Sequence, residues 1–154
     1  MSDQLAVSAG LEGTCSLSTA GAPVCWGNFG QINMPAAASS NQVAVVTSAD
    51  HGHICSLSMG GSVYCWGDNS NGETTVPLAA SFNQVAVSAG GGHTCSLSSS
   101  GGLLCWGCNS FGQTYVLRPF LYAGAALPCR VTSYSFSTPT PTTVPTPGFS
   151  CASS

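Results

Sequence analysis

The stretch Gly90-Gly91-Gly92-His93-Thr94-Cys95-Ser96-Leu97, continuing through Gly102-Leu103-Leu104-Cys105-Trp106-Gly107, decides the fold. A Gly-rich turn opens it, and two short runs with alternating apolar residues follow, separated by Ser99-Ser100-Gly101. Alternation over four to eight residues between turn signals reads as paired strands. Pairing these runs as a hairpin sets Cys95 opposite Cys105 and Leu97 opposite Leu103 on one face, with Leu104 and Trp106 on the other. Directly opposite residues in a non-hydrogen-bonded antiparallel pair lie about 4.5 Å apart at Cα, within the span a disulfide bridges.

The same pattern occurs three times. Cys15, Cys55 and Cys95 step by forty, and so do Cys25, Cys65 and Cys105, and Trp26, Trp66 and Trp106. Register therefore predicts Cys15–Cys25, Cys55–Cys65 and Cys95–Cys105, each closing a short loop that stabilises by about 2–3 kcal/mol. Reduced core pairs are the plainer alternative. A metal site is weaker, because two cysteines per hairpin bring no third and fourth ligand at regular spacing. Each unit begins with Gln-Leu-Ala-Val or Gln-Val-Ala-Val, at Gln4, Gln42 and Gln84. The units thus run about 4–41, 42–83 and 84–114. The even period hides two compensating changes, a loop after Trp26-Gly27 two residues shorter than that after Trp66-Gly67, and two extra residues in Val46–Asp50. Strands are expected at Gln84–Ser88, His93–Ser98 and Gly102–Trp106, with a short fourth at Thr75–Leu78, and almost no helix. A period near forty with a Trp-Gly mark denotes a repeat array in which each unit buries its faces against neighbours.

These residues, with Asn109-Ser110-Phe111-Gly112-Gln113 and the parallel run His53–Leu57 through Val63–Ser70, resemble repeats of the regulator of chromosome condensation family. The first unit departs from the pattern at Leu11-Glu12-Gly13-Thr14, where the histidine is missing. The resemblance covers about Gln4 to Gln113. It implies an all-β fold of three propeller-blade-like antiparallel repeats, an open or partial β-propeller, since closed rings usually need 4–8 blades. Members build blades of four strands and include a nuclear exchange factor, secreted inhibitors of β-lactamase and extracellular repeat proteins. The Cys-paired form here resembles the extracellular branch. Family functions sit in variable loops, so the resemblance carries no functional residue across.

Beyond residue 114 the character changes. Residues 115–137 offer a closing strand or wrap. Residues 138–154 form a Thr/Pro-rich tail ending in a cysteine, expected as an extended polyproline II rod because proline fixes φ and removes donors. Such tracts in secreted chains carry O-linked sugar. The candidates are Thr138, Thr140, Thr142, Thr143 and Thr146, with Pro139, Pro141, Pro145 and Pro147 if hydroxylated. The tract resembles hydroxyproline-rich segments of plant and green-algal extracellular glycoproteins. No Asn-x-Ser/Thr sequon occurs. Of the three remaining cysteines, Cys129–Cys151 would tie the rod to the body and leave Cys108 free or intermolecular. Cys108–Cys129 is the alternative.

Composition excludes several functions. Two basic and five acidic residues in 154 leave 5% of the chain charged, with no lysine. Arg118 and Arg130 make no basic patch for nucleic acid. No apolar run approaches the roughly 18–20 residues of a membrane span. Serine (24) and threonine (13) replace charge, so the surface is expected to be coated by O-glycans or buried between subunits. Nine cysteines suit an oxidising compartment, and the start lacks a signal peptide, which suggests a piece of a longer secreted precursor. No cofactor motif or phosphate loop is present. His53 and His93 hold equivalent repeat positions, which favours a structural role over metal binding with His51. Asp68 and Glu73 share one loop and read as solvated rather than as a catalytic carboxylate pair. The chain is therefore expected to be no enzyme. It reads as an extracellular structural glycoprotein segment, a self-associating subunit of a fibre or surface assembly. The alternative is a secreted protein-binding module, with Phe29 and Phe111 as rim anchors.

Overall fold

The computed structural model describes residues 3–28, 33–50, 52–116 and the backbone of 129–131 and 149–151. The chain divides into Met1–Leu117 and Arg118–Ser154. The first unit is all-β, with three antiparallel three-stranded sheets. The first sheet holds β1 (Gln4–Ala9), β2 (Gly13–Ser18) and β3 (Pro23–Gly27). The second holds β4 (Gln42–Thr47), β5 (His53–Ser58) and β6 (Val63–Gly67). The third holds β7 (Gln84–Ala89), β8 (His93–Ser98) and β9 (Leu103–Gly107). Each is a simple meander with its middle strand flanked by its sequence neighbours. Successive blades pack through β1 on β4 and β4 on β7, with β2 also against β4 and β5 against β7.

The fourth strand expected at Thr75–Leu78 does not form. Thr75–Pro77 is irregular, and Leu78–Ala80 makes a single 3-10 turn entered from Pro77, matched by Ala36–Ala38 after Pro35. Pro77 has no N–H to give a ladder, and its fixed φ suits the start of a helical turn better. Blades here thus have three strands. In the second unit β10 (Cys129–Val131) pairs antiparallel with β11 (Phe149–Cys151), in a register that sets Cys129 opposite Cys151. Their side chains, and the tail positions Thr138 to Pro147, lie outside the described residues.

Local chemistry repeats as strictly as the sequence. The last serine of each Cys-Ser-Leu-Ser run turns back on its hairpin: Ser18, Ser58 and Ser98 accept through Oγ the N–H of Ala22, Ser62 and Gly102, at 3.1, 3.0 and 2.9 Å. The opening glutamines of the second and third units are buried and tie down the preceding turn, whereas Gln4 is exposed. Gln42 Nε2 donates to the Ala37 and Ser40 carbonyls, and Gln84 Nε2 to those of Ala79 and Phe82. Asn41 and Asn83 precede them with φ of 58°, a left-handed conformation asparagine tolerates better than most residues.

The hairpins pair in the expected register, Cys15 with Cys25, Cys55 with Cys65 and Cys95 with Cys105, and each pair is disulfide-bonded with Cα atoms 4.0–4.1 Å apart. The glycine of every Trp-Gly pair ends its strand at φ of 105°, 100° and 99°. A Cβ on Gly67 would stand 2.5 Å from the Gly52 carbonyl oxygen, and one on Gly107 would stand 2.6 Å from that of Gly92. Both neighbours are backbone and cannot swing aside. Gly67→Ala should therefore cost about 1–3 kcal/mol or more, the range for a non-glycine residue forced into that region. A thermal melt should show the loss, whereas Gly72→Ala meets open space and should lose only the strain of its own positive φ.

Candidate interaction surfaces

The blades meet through one repeated contact. Trp66 of β6 is 3% exposed and packs with Ile54 and Val45 against Cys15, Leu17 and Cys25 of the preceding blade. Trp106 of β9 is 8% exposed and packs in the same way on Cys55, Leu57 and Val63. Each blade therefore has two unlike faces. One presents the tryptophan, and the other presents the disulfide with the leucine of Cys-Ser-Leu-Ser.

The two joints differ in their polar groups. At the second, Thr94 Oγ1 donates its one proton to the Glu73 carbonyl at 3.0 Å. His53 Nε2 lies 3.0 Å from the same hydroxyl and must therefore be the protonated nitrogen that donates to it. The Trp106 indole N–H also donates to the Glu73 carbonyl, at 2.8 Å. One carbonyl thus accepts from two residues of the next blade. At the first joint, Ile54 stands in the place of Thr94 and Gly13 in that of His53; Ser8 Oγ bonds Thr47 Oγ1 and accepts the Thr47 N–H, each at 3.0 Å, the Gln42 N–H donates to the Gly21 carbonyl at 2.9 Å, and Gln31, which holds the position of Glu73, lies outside the described residues.

Glu73 corrects the expectation of a solvated loop. Its side chain is fully buried, and Oε2 accepts the Asn71 N–H at 2.7 Å. Asp68 accepts the N–H and Oγ–H of Ser70 at 3.2 and 2.6 Å. Each carboxylate shapes its own loop. Sequence reading missed Glu73 because its main-chain carbonyl makes the inter-blade bonds, and a carbonyl has no residue-type signal. Its position was legible, since Gln113 follows the same glycine one repeat later. His53 is buried in the joint and His93 half-buried, while His51 lies outside the described residues. Among the described residues no group of three or more His, Cys, Asp or Glu side chains stands together to hold a metal ion, and no helix is long and apolar enough to cross a membrane.

Two hollows flank the joints. One of about 10 Å³ lies between Gly10–Gly13 and Thr47–Ile54, room for one water at most. An open groove of about 370 Å³ runs along β6 past Pro35, Tyr64, Val76 and Ser81, with no charged residue in its lining. Phe111 is 94% exposed at a loop tip, as a rim anchor would be, and Phe29 lies outside the described residues. Cys108 carries a free, part-exposed thiol. Its Sγ lies 3.4 Å from Ser110 Oγ, and hydrogen bonds from the Ser110 side chain and backbone hold its pKa below the ordinary thiol value.

The outer blades leave both kinds of face open. Trp26 is 50% exposed, with Val24 at 53% and Val7 at 71%, although their counterparts Trp66 and Val45 are buried. At the other end Leu97 is 37% and Leu103 49% exposed, where Leu57 and Val63 are each 3%.

Residues 43–73 and 84–113 match the Regulator of chromosome condensation (RCC1) repeat. Prp20p from Saccharomyces cerevisiae, whose structure is described with its binding properties to Gsp1p and histones, superposes with a TM-score of 0.61 at 20% identity, over 74% of this chain and 33% of its own. The entire ectodomain of the Physcomitrella patens receptor kinase CR4 superposes with 0.51 at 25% identity, over 68% and 30%. Human WBSCR16 gives 0.50 at 17%, over 68% and 33%. The chain spans about a third of the length of these structures. No curated protein matches it.

Two outcomes follow from this geometry. Trp66→Ala should cost about 3–5 kcal/mol in denaturant unfolding, the range for emptying a buried aromatic site. Trp26→Ala, the same change at the same repeat position, should stay near 0.5 kcal/mol because no blade covers it. Iodoacetamide should alkylate Cys108 without prior reduction, with a rate that rises at lower pH than for an ordinary thiol. Ser110→Ala should move that rise to higher pH and slow alkylation near neutrality, read by peptide mass spectrometry.

Proposed function

We propose that this chain, built of regulator-of-chromosome-condensation repeats folded as propeller blades, is a structural segment of an extracellular glycoprotein that contributes protein–protein contacts to a fibre or surface assembly. The observation that carries this reading is the pair of apolar blade faces open at the two ends of Met1–Leu117, on a chain with two basic and five acidic residues. Exposed apolar surface with so little charge around it marks an association site. Contact with other proteins also suits the fold, since RCC1-like repeats are a protein-interaction module.

The three hairpin disulfides support an oxidising compartment. The likeness to a receptor-kinase ectodomain points the same way. In this reading the Thr/Pro tract carries O-glycans on Thr138–Thr146 and on hydroxylated proline, which supply the solvation that charge does not. No catalytic role is assigned: Asp68 and Glu73 are engaged with their own loop, and His53 with Thr94. A second reading, a secreted binding module, is favoured by one observation, the exposed Phe111 at the rim. A partner retained by the wild-type chain and lost with Phe111→Ala would support it.

Intact mass spectrometry of native material is the test. The expected mass exceeds the bare chain by whole sugar residues that map to 138–147. A mass equal to the bare chain less only the disulfide hydrogens would remove the glycoprotein part of the proposal.

A further inference from the structure

We infer that the two open blade faces bind each other between molecules, the Val7, Val24 and Trp26 face of one copy seating on the Leu97, Leu103 and Cys95–Cys105 face of the next. This rests on the assembly reading above and names its contact. The chain already makes the same joint twice within itself, with Trp66 on the first blade and Trp106 on the second. The third blade has the accepting face and the first blade has the inserting one, and both are exposed only at these ends. A second copy therefore brings, residue for residue, the surface that the third blade lacks.

The details fit a joint of the second kind. Thr14 on the inserting face holds the position of Thr94, and His93 on the accepting face holds that of His53, so the two ends carry the residue types of the His53–Thr94 contact. Gln113 holds the position of Glu73, whose carbonyl accepts the Trp106 indole, and so supplies the matching carbonyl for the Trp26 indole. None of the residues named on either face is charged, so nothing in the contact repels. The two faces differ, so the contact is heterologous. It propagates head to tail, closing into a ring if the rotation per copy allows and extending as a filament if not.

Sedimentation velocity of the full chain over a wide concentration range tests this. The wild type should grow from monomer to dimer and larger species. Trp26→Ser and Leu97→Asp, changes at exposed positions, should each remain monomeric with unchanged thermal melts. Mixed together they should form a one-to-one dimer and nothing larger, because each retains one intact face. A wild type that stays monomeric overturns both the docking and the assembly reading. Association that survives both substitutions overturns the docking and leaves assembly standing. Loss in both variants with no complex on mixing also overturns the docking.

Discussion

The indole of each blade resting on the disulfide of the blade before it is the contact on which the rest depends. A three-stranded meander has one middle strand and two edges, and as one unit of a repeat array it cannot bury its apolar faces without a neighbour. The Cys pair locks its outer hairpin, yet a disulfide on a sheet surface is also a flat apolar patch that needs cover. Tryptophan provides the largest cover a single residue can. The two together turn each unit into a block with an inserting side and an accepting side. The arrangement is one-dimensional: stability grows by adding joints between neighbours rather than by enlarging one core.

The low charge follows from this construction. Stacked blades present serine, threonine and small apolar side chains to one another, and Ser56 and Ser96 are buried at the joints with almost no surface left. A long charged side chain there would hold the blades apart or demand a buried partner. The second joint shows what the fold does with polar groups instead. The His53 to Thr94 to Glu73 carbonyl chain, joined by the Trp106 indole, spends each donor on a fixed acceptor. At the first joint Ile54 and Gly13 take the places of Thr94 and His53, so the histidine-to-threonine link cannot form there.

The hairpins and their Cys registers were legible in sequence because period two and period forty coincide on the same residues. Chemistry at a fixed spacing, repeated three times, leaves little freedom in pairing. The fourth strand misled because Thr75-Val76 has good strand composition, and the deciding term was the single missing N–H of Pro77. The burial of Glu73 was hidden for another reason. A carboxylate beside Asn and Gly reads as solvated, but here the loop is pulled in by bonds to its main chain. Directionality was hidden too. The alternation put Trp106 and Leu97 on opposite faces, but only the packing of Trp66 on Cys15 and Leu17 shows that tryptophan points toward the preceding blade.

That direction gives the molecule its asymmetry. If the tryptophans faced the following blade, Trp26 would be buried and Trp106 left open. The reverse is observed, with Trp26 half exposed and Trp106 covered. The first and third blades therefore fail to bury opposite halves of one joint. A symmetric pairing of like ends would set tryptophan against tryptophan, or disulfide against disulfide, and neither combination occurs inside the chain. Unlike ends reproduce a contact the sequence already makes twice, and in a surface this poor in charge they have no electrostatic barrier to meeting.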